Sequence, residues 1–175
     1  MPDPTYSAAL KEANASAPVN QIIHHTLEFW HSSFAAPLRI VRDRASLDAR
    51  IEAGAPRDAG LVVTFAGYAF DIVPPDQTST GVPQCTIEID NVDRTLLALI
   101  DVAVGFSTEI VVLYRIYLSD TALVGPENVP VMTLTIQSVS ATPFRIRAVA
   151  GFPDLLNAKY PKLEYETTTF PGLSI

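Results

Sequence analysis

Fourteen prolines are spread through the 175 residues of this chain, against eight glycines. Each proline fixes a backbone dihedral and removes an amide donor, so long helices and long central strands are both disfavoured. The stretches between the prolines are rich in Val, Ile and Thr, which favour strands. The sequence therefore predicts a mainly β chain, an antiparallel β-sandwich or open barrel with one or two short α-helices.

Length and composition indicate one folded domain spanning residues 1–175. A hydrophobic fraction of 48% and a charged fraction of 18% are typical of a chain with a core rather than a disordered one. The formal charge of −7 argues against general nucleic-acid binding, because phosphate backbones are bound by clustered Lys and Arg. No apolar run reaches the roughly 18 residues of a membrane span, and the N-terminus lacks the pattern of a secretory signal. We expect a soluble protein without membrane insertion.

Two helices are predicted from apolar residues at helical spacing. The first covers residues 5–16 and is ended by Pro18. The second begins near Val92 and ends near Gly105, because glycine is common just after the last turn of a helix.

Strand patterns account for about seven further segments. Gly67 lies inside one of them and indicates a hairpin, bulge or kink. Residues 45–59 fit either a strand or a helical turn. The predicted strand segments are 19–30, 37–43, 60–75, the stretch that contains Cys85, Ile87 and Ile89, 107–118 and 129–151, the last divided near Pro143.

Three carboxylates, those of Glu88, Asp90 and Asp93, lie in the stretch QCTIEIDNVDR, residues 84–94. Because a strand leads here into the second helix, Asp90 or Asn91 stands where an N-cap belongs, and Asp93 favours the positive end of the helix dipole. A calcium loop would need a central glycine and a glutamate at its twelfth position, which this stretch lacks. We therefore predict a structural cap and no metal. The alternative is a metal-dependent enzyme that uses Asp90, Asp93 and a histidine.

The other reactive side chains do not form a catalytic pattern. His24 and His25 are strand neighbours that point to opposite faces, so His25 shares a face only with His31, and a zinc site would need a third ligand. Cys85, the single cysteine, lies in a strand pattern and is predicted to be a small buried hydrophobe. The sequence has no Gly-x-Ser-x-Gly elbow and no glycine-rich phosphate loop. We predict no catalytic residues and no cofactor.

Four segments together resemble a family of short tail proteins of long-tailed bacteriophages and prophages, catalogued mainly as a domain of unknown function. Their order and spacing agree with that family over most of the chain. The segments are PLRIVRD (37–43), YAFDIVPP (68–75), IEIDNVDR (87–94) and YPKLEYETTTFPGL (160–173).

The resemblance implies a structural component of the tail tip, of the distal or minor tail protein type, that joins the tail tube to the baseplate or hub. It implies no catalytic residue. Its expected partners are further copies of itself in a hexameric or trimeric ring, together with tail tube, tape-measure and hub proteins. Its expected location is the virion tail, after assembly in the host bacterial cytoplasm.

The C-terminal segment, residues 158–175, is predicted to be extended. Pro161 and Pro171 disfavour a helix, and the threonine run at 167–169 favours extended backbone. The segment has too many large apolar groups for a solvated tail, so we expect it to dock against its own domain or the next subunit. The candidate subunit contacts are Tyr160, Leu163, Tyr165, Phe170 and Leu173.

Overall fold

The computed structural model describes residues 5–73, 84–90, 98, 100, 103, 108–142 and 144–152. In this part of the chain, one helix and nine strands have defined bounds. They are α1 (Ala8–Ser16), β1 (Ile23–Trp30), β2 (Leu38–Val41), β3 (Leu47–Arg50), β4 (Val62–Gly67), β5 (Phe70–Val73), β6 (Gln84–Asp90), β7 (Val111–Leu118), β8 (Met132–Ala141) and β9 (Arg145–Gly151).

The nine strands form one sheet in the order β3–β4–β2–β1–β7–β8–β9–β6–β5. The prediction of a mainly β fold is confirmed, with more strands than predicted because residues 60–75 contain two strands and residues 45–59 contain β3. The antiparallel prediction is wrong at one pair: β2 and β4 are parallel, over Ile40 with Ala66 and Val41 with Gly67.

The sheet curves back on itself as an open barrel. In the order of the strands within the sheet, β4 is second and β5 is last, yet only Tyr68 and Ala69 join them in the chain. The distance from Gly67 to Phe70 is therefore at most about 11 Å. The amide of Tyr68 donates to Val41 O on β2 at 2.9 Å, and the amide of Asp90 on β6 donates to Ala69 O at 3.0 Å. Two consecutive residues thus bind to strands near opposite ends of the sheet, β2 and β6, and we call this junction the seam.

The main core fills the inside of the curved sheet. On β6, Cys85, Ile87 and Ile89 are buried, while the residues between them are partly exposed. The alternation is that of a strand with one apolar face, and it confirms Cys85 as a buried hydrophobe. Ala98, Ile100 and Ala103 are helical, as predicted for the second helix, and the last two belong to the main core.

The N-terminal helix begins later than predicted. Ser7 is its N-cap, because the Ser7 hydroxyl accepts a hydrogen bond from the Leu10 amide at 3.0 Å. The helix ends before Ala17, which has a left-handed φ of 44°. Leu10 and Ala13 pack into the main core. No helix among the described residues is long and apolar enough to cross a membrane.

The outer face of β1 and β7 is covered by β3, β4 and the loop between them. A second apolar core forms there, with Ile51, Phe65 and Tyr117 each at most 1% exposed. The Tyr117 hydroxyl donates to Arg50 O at 3.1 Å, which ties β7 to the end of β3. Residues 45–59, left open by the sequence, therefore form a cover over the sheet.

Five charged side chains meet between this cover and the sheet, with Asp58 at the edge, 38% exposed, and we call them the buried ionic cluster: Glu28, Arg39, Glu52, Asp58 and Arg115. Arg115 is fully buried; it donates to Glu28 Oε2 at 3.0 Å and to both oxygens of Glu52 at 2.7 and 2.9 Å. Arg39 donates to Glu28 Oε2 at 3.1 Å and also pairs with Asp58. Glu28 Oε1 has no partner among the described residues. The cluster joins the covering loop to β1, β2 and β7.

Candidate functional site

A groove of about 840 Å³ opens at the seam. It is bounded by residues 42–44, which follow β2, and by residues 67–71, which connect β4 to β5. Glu88, Asp90 and Arg145 on β6 and β9 complete its lining. We call it the seam groove.

Gly67 allows the two walls of the groove to approach each other. A Cβ atom at this position would lie 2.7 Å from Arg44 O and 2.8 Å from Asp43 O. Those are backbone atoms, so a larger residue would push the loop 42–44 away from β4. The glycine that the sequence marks as a break in a strand is therefore a point of close backbone contact.

The lining of the groove is charged and open to solvent. Arg42 Nη1 lies 3.4 Å from Asp71 Oδ1, and Arg145 lies 3.2 Å from Glu88 Oε2 and 3.6 Å from Asp90 Oδ1. Each of these side chains is at least 36% exposed. Exposed pairs of this kind contribute about 0–1 kcal/mol to stability, so the groove charges can change partners at small cost to the fold.

Two carboxylates of the acidic cluster, those of Glu88 and Asp90, lie among the described residues. Glu88 and Asp90 project from the outer face of β6, where Arg145 contacts both and Arg147 Nε lies 3.7 Å from Glu88. Asn91 and Asp93 lie outside the described residues, so the cap stays a prediction. Among the described residues, no group of three His, Cys, Asp or Glu side chains is arranged to hold a metal ion.

The histidines do not converge on one site. His24 Nδ1 is 3.5 Å from Asp43 Oδ2, beside the groove. His25 lies on the other face, where its Nδ1 is 2.6 Å from the Tyr114 hydroxyl and the two rings stack. Burial, and then the charge of Arg42, lower the pKa of His25 below its usual value. His31 is fully buried after β1, and its Nδ1 is 2.7 Å from Ser33 Oγ.

The candidate subunit contacts at Tyr160, Leu163, Tyr165, Phe170 and Leu173 lie outside the described residues.

The groove brings together residues that sequence reasoning found and others that it missed. Glu88 and Asp90 were singled out by their spacing, whereas Arg145 and the loop 42–44 carried no local signal of a site. The resemblance to tail proteins did point to the groove, because the segments 37–43, 68–75 and 87–94 that carry it each supply residues of the groove lining.

Comparison with known families identifies a match over most of the chain. Residues 9–165 match the model of a family described as a domain of unknown function, DUF1833. A comparison with curated proteins found no match.

Proposed function

We propose that this chain, which belongs to the DUF1833 family, is a non-enzymatic structural component of a bacteriophage tail tip. Its role would be that of a distal-tail-type ring subunit that joins the tail tube to the baseplate or hub. The observation that carries the proposal is that described residues from three of the four segments that resemble tail proteins line one surface, the seam groove.

The convergence matters because the three segments are far apart in the chain. The described parts of these segments, residues 37–43, 68–73 and 87–90, meet through the Arg42 to Asp71 ion pair and through the pairing of Phe70 with Ile89. Segments that served only to build a core would not need to gather their charged side chains on one surface. Here the charges are exposed around a groove, which suits a surface that selects and orients a protein partner.

A second, apolar surface supports assembly. Arg50 ties two turns together, donating from Nε to Leu123 O at 2.8 Å and from Nη1 to Gly60 O at 2.7 Å. Soluble monomers rarely group large exposed apolar side chains, and such groups mark contact sites. Four aliphatic side chains on these turns, which we call the apolar patch, are at least 48% exposed: Leu61, Val62, Leu123 and Val124.

The two surfaces lie apart on the same subunit. Strand β4 begins in the apolar patch at Val62 and ends in the seam groove at Gly67, a distance of about 16 Å along the strand. A ring is built from head-to-tail contacts, in which two different surfaces of each subunit are used. The presence of two separate surfaces is compatible with that arrangement.

Mass spectrometry of purified phage particles tests the location. We expect the chain to be present in a copy number that is a multiple of three. Particles that form normally and lack the chain would refute the tail-tip proposal.

The role of the groove is tested by Arg145→Glu, with Arg147→Glu as the matched control. Both arginines have side chains 60% exposed and both face Glu88, but only Arg145 lines the groove. Phage complementation should fall sharply with Arg145→Glu and stay near wild type with Arg147→Glu, while both purified variants keep their stability. Equal complementation by the two variants would remove the groove from the proposal.

The alternative of a metal-dependent enzyme at Asp90 and Asp93 meets a physical objection. The Asp90 carboxylate already faces Arg145 at 3.6 Å, and a cation would compete with that guanidinium. Elemental analysis separates the two functions, because stoichiometric divalent metal in the purified chain would favour the enzyme.

A further inference from the structure

We propose that the free edge of β5 binds the C-terminal segment of the same chain as an added antiparallel strand centred on residues 162–167. The inference rests on the backbone of β5 and on the pattern of the segment, and it holds whether or not the chain is a tail protein.

The backbone pairing shows which groups of β5 are available. In the antiparallel pairing with β6, Phe70 lies opposite Ile89, and the Asp90 amide donates to Ala69 O. This geometry makes Phe70 and Ile89 a non-hydrogen-bonded pair, so the amide and carbonyl groups of Phe70 point away from β6. Two residues along, the same groups of Ile72 point away as well.

These outward groups form no backbone hydrogen bond with a described residue. Among the described strands, β5 is the last of the sheet, and its Phe70 side chain is buried while that of Ile72 packs against the main core. An edge with a buried apolar side and a row of available backbone groups is a site for strand addition.

The C-terminal segment has the pattern that such an edge requires. In KLEYET, residues 162–167, the apolar Leu163 and Tyr165 alternate with the charged Lys162, Glu164 and Glu166. An added strand with this period would direct Leu163 and Tyr165 toward the core and the charged residues outward.

The segment leaves the sheet at a suitable place. Strand β9 ends at Gly151, which pairs with Gln84 at the start of β6, and the end of β5 at Val73 pairs with Thr86 two residues further on. A strand added to β5 would lie three strand spacings from β9, or about 14 Å, and residues 153–159 span up to roughly 23 Å. A chain that returns from there runs antiparallel to β5, so the same molecule can supply the strand.

Arg44 is the charge that favours this orientation. The returning strand would reach the Phe70 end of β5 last, with Glu164 and Glu166 on the outer face. At that end Arg42 and Arg44 line the seam groove, and among the described residues Arg44 has no carboxylate within ion-pair distance. Glu166 would therefore approach Arg44, whereas Glu164 would lie beside Asp71 and the Arg42 that pairs with it.

Amide hydrogen exchange on the full-length chain tests the proposal. The amides of Asp71 and Val73 donate to β6 and serve as an internal reference. We expect the amides of Phe70 and Ile72 to exchange at least about 100-fold more slowly than free amides, as expected for hydrogen-bonded strand positions. Free exchange at Phe70 and Ile72, beside protected Asp71 and Val73, would overturn the proposal.

A matched pair of variants identifies the occupant of the edge. Tyr165→Ser, on the inward side, should reduce the protection of Phe70 and Ile72 at least about tenfold, through lost apolar burial, whereas Glu166→Ser, on the outward side, should leave it nearly unchanged. Equal effects of the two changes would exclude the segment as an added strand. Protection that disappears on dilution would assign the strand to a second molecule and overturn the same-chain assignment.

Discussion

Replacing Arg115 with methionine should destabilise the fold strongly, because it removes the centre of the buried ionic cluster. The guanidinium is fully buried and pairs with Glu28 and Glu52. In the variant, Glu52 can reach water, since its side chain is 19% exposed, whereas Glu28, at 1%, keeps only Arg39. Removing one partner from a buried ion pair typically costs about 3–5 kcal/mol.

The expected shift in melting temperature follows from the size of the chain. For 175 residues, each kcal/mol lowers Tm by roughly 2–4 °C, so Arg115→Met should lower Tm by about 6–20 °C. Arg39→Met is the matched control, with a smaller loss because Arg39 is 13% exposed and its removal leaves Glu28 paired with Arg115. Adding Glu28→Gln to Arg115→Met should recover at least about 1 kcal/mol, since the residues are coupled.

Urea unfolding followed by tryptophan fluorescence measures these differences. Trp30 is the single tryptophan, and the guanidinium of Arg57 lies 3.4 Å from the centre of its ring, so it reports on the covering loop. An Arg115→Met variant within about 1 kcal/mol of the wild type, or a double variant no more stable than the single one, would contradict the stabilising role of the buried ionic cluster.

Three further predictions concern the seam and the core. Gly67→Ala should lower the free energy of unfolding by about 1–3 kcal/mol in urea titrations, because its Cβ would overlap the carbonyl of Arg44; unchanged stability would contradict the close contact. Burial raises the pKa of Cys85 to about 11, so a thiol reagent should label it only in urea, and rapid labelling of the folded chain would contradict that burial. The pKa of His25 is lowered from 6.5, so its contribution to stability is present above pH 6.5 and is lost as pH falls through the folded-state value. His25→Gln should therefore flatten the decline in unfolding free energy below pH 6.5, and an identical pH dependence would show that His25 does not cause it.

Local sequence patterns predicted the elements well and their assembly less well. The strand around Cys85 could be predicted because alternation is a property of neighbouring residues. Arg115 interrupts an apolar run, and its meaning depends on Glu52 and Glu28, which are 63 and 87 positions away. No local pattern contains that information. The parallel pairing of β2 with β4 was missed for the same reason.

In the candidate site as well, local patterns predicted some residues, and contacts between distant parts of the chain determined the others. Glu88 and Asp90 stood out because two carboxylates close together in a strand are unusual, but the Arg145 that contacts Glu88 is 57 positions away. The groove itself results from the two-residue link of Tyr68 and Ala69, which brings the two ends of the sheet together. Curvature of this kind is decided by the pairing of all nine strands, and a single segment does not encode it.

The buried ionic cluster also restricts how this sequence can change over generations. A lineage that loses Arg115 alone passes through a form in which Glu28 and Glu52 have lost their shared cation, whereas an apolar set in the same positions would be well tolerated. Losing Arg115 before the two glutamates therefore leads to a less stable intermediate. Positions 28, 52 and 115 should therefore be inherited as a unit, and members of the family should carry either the whole charged set or a jointly apolar replacement.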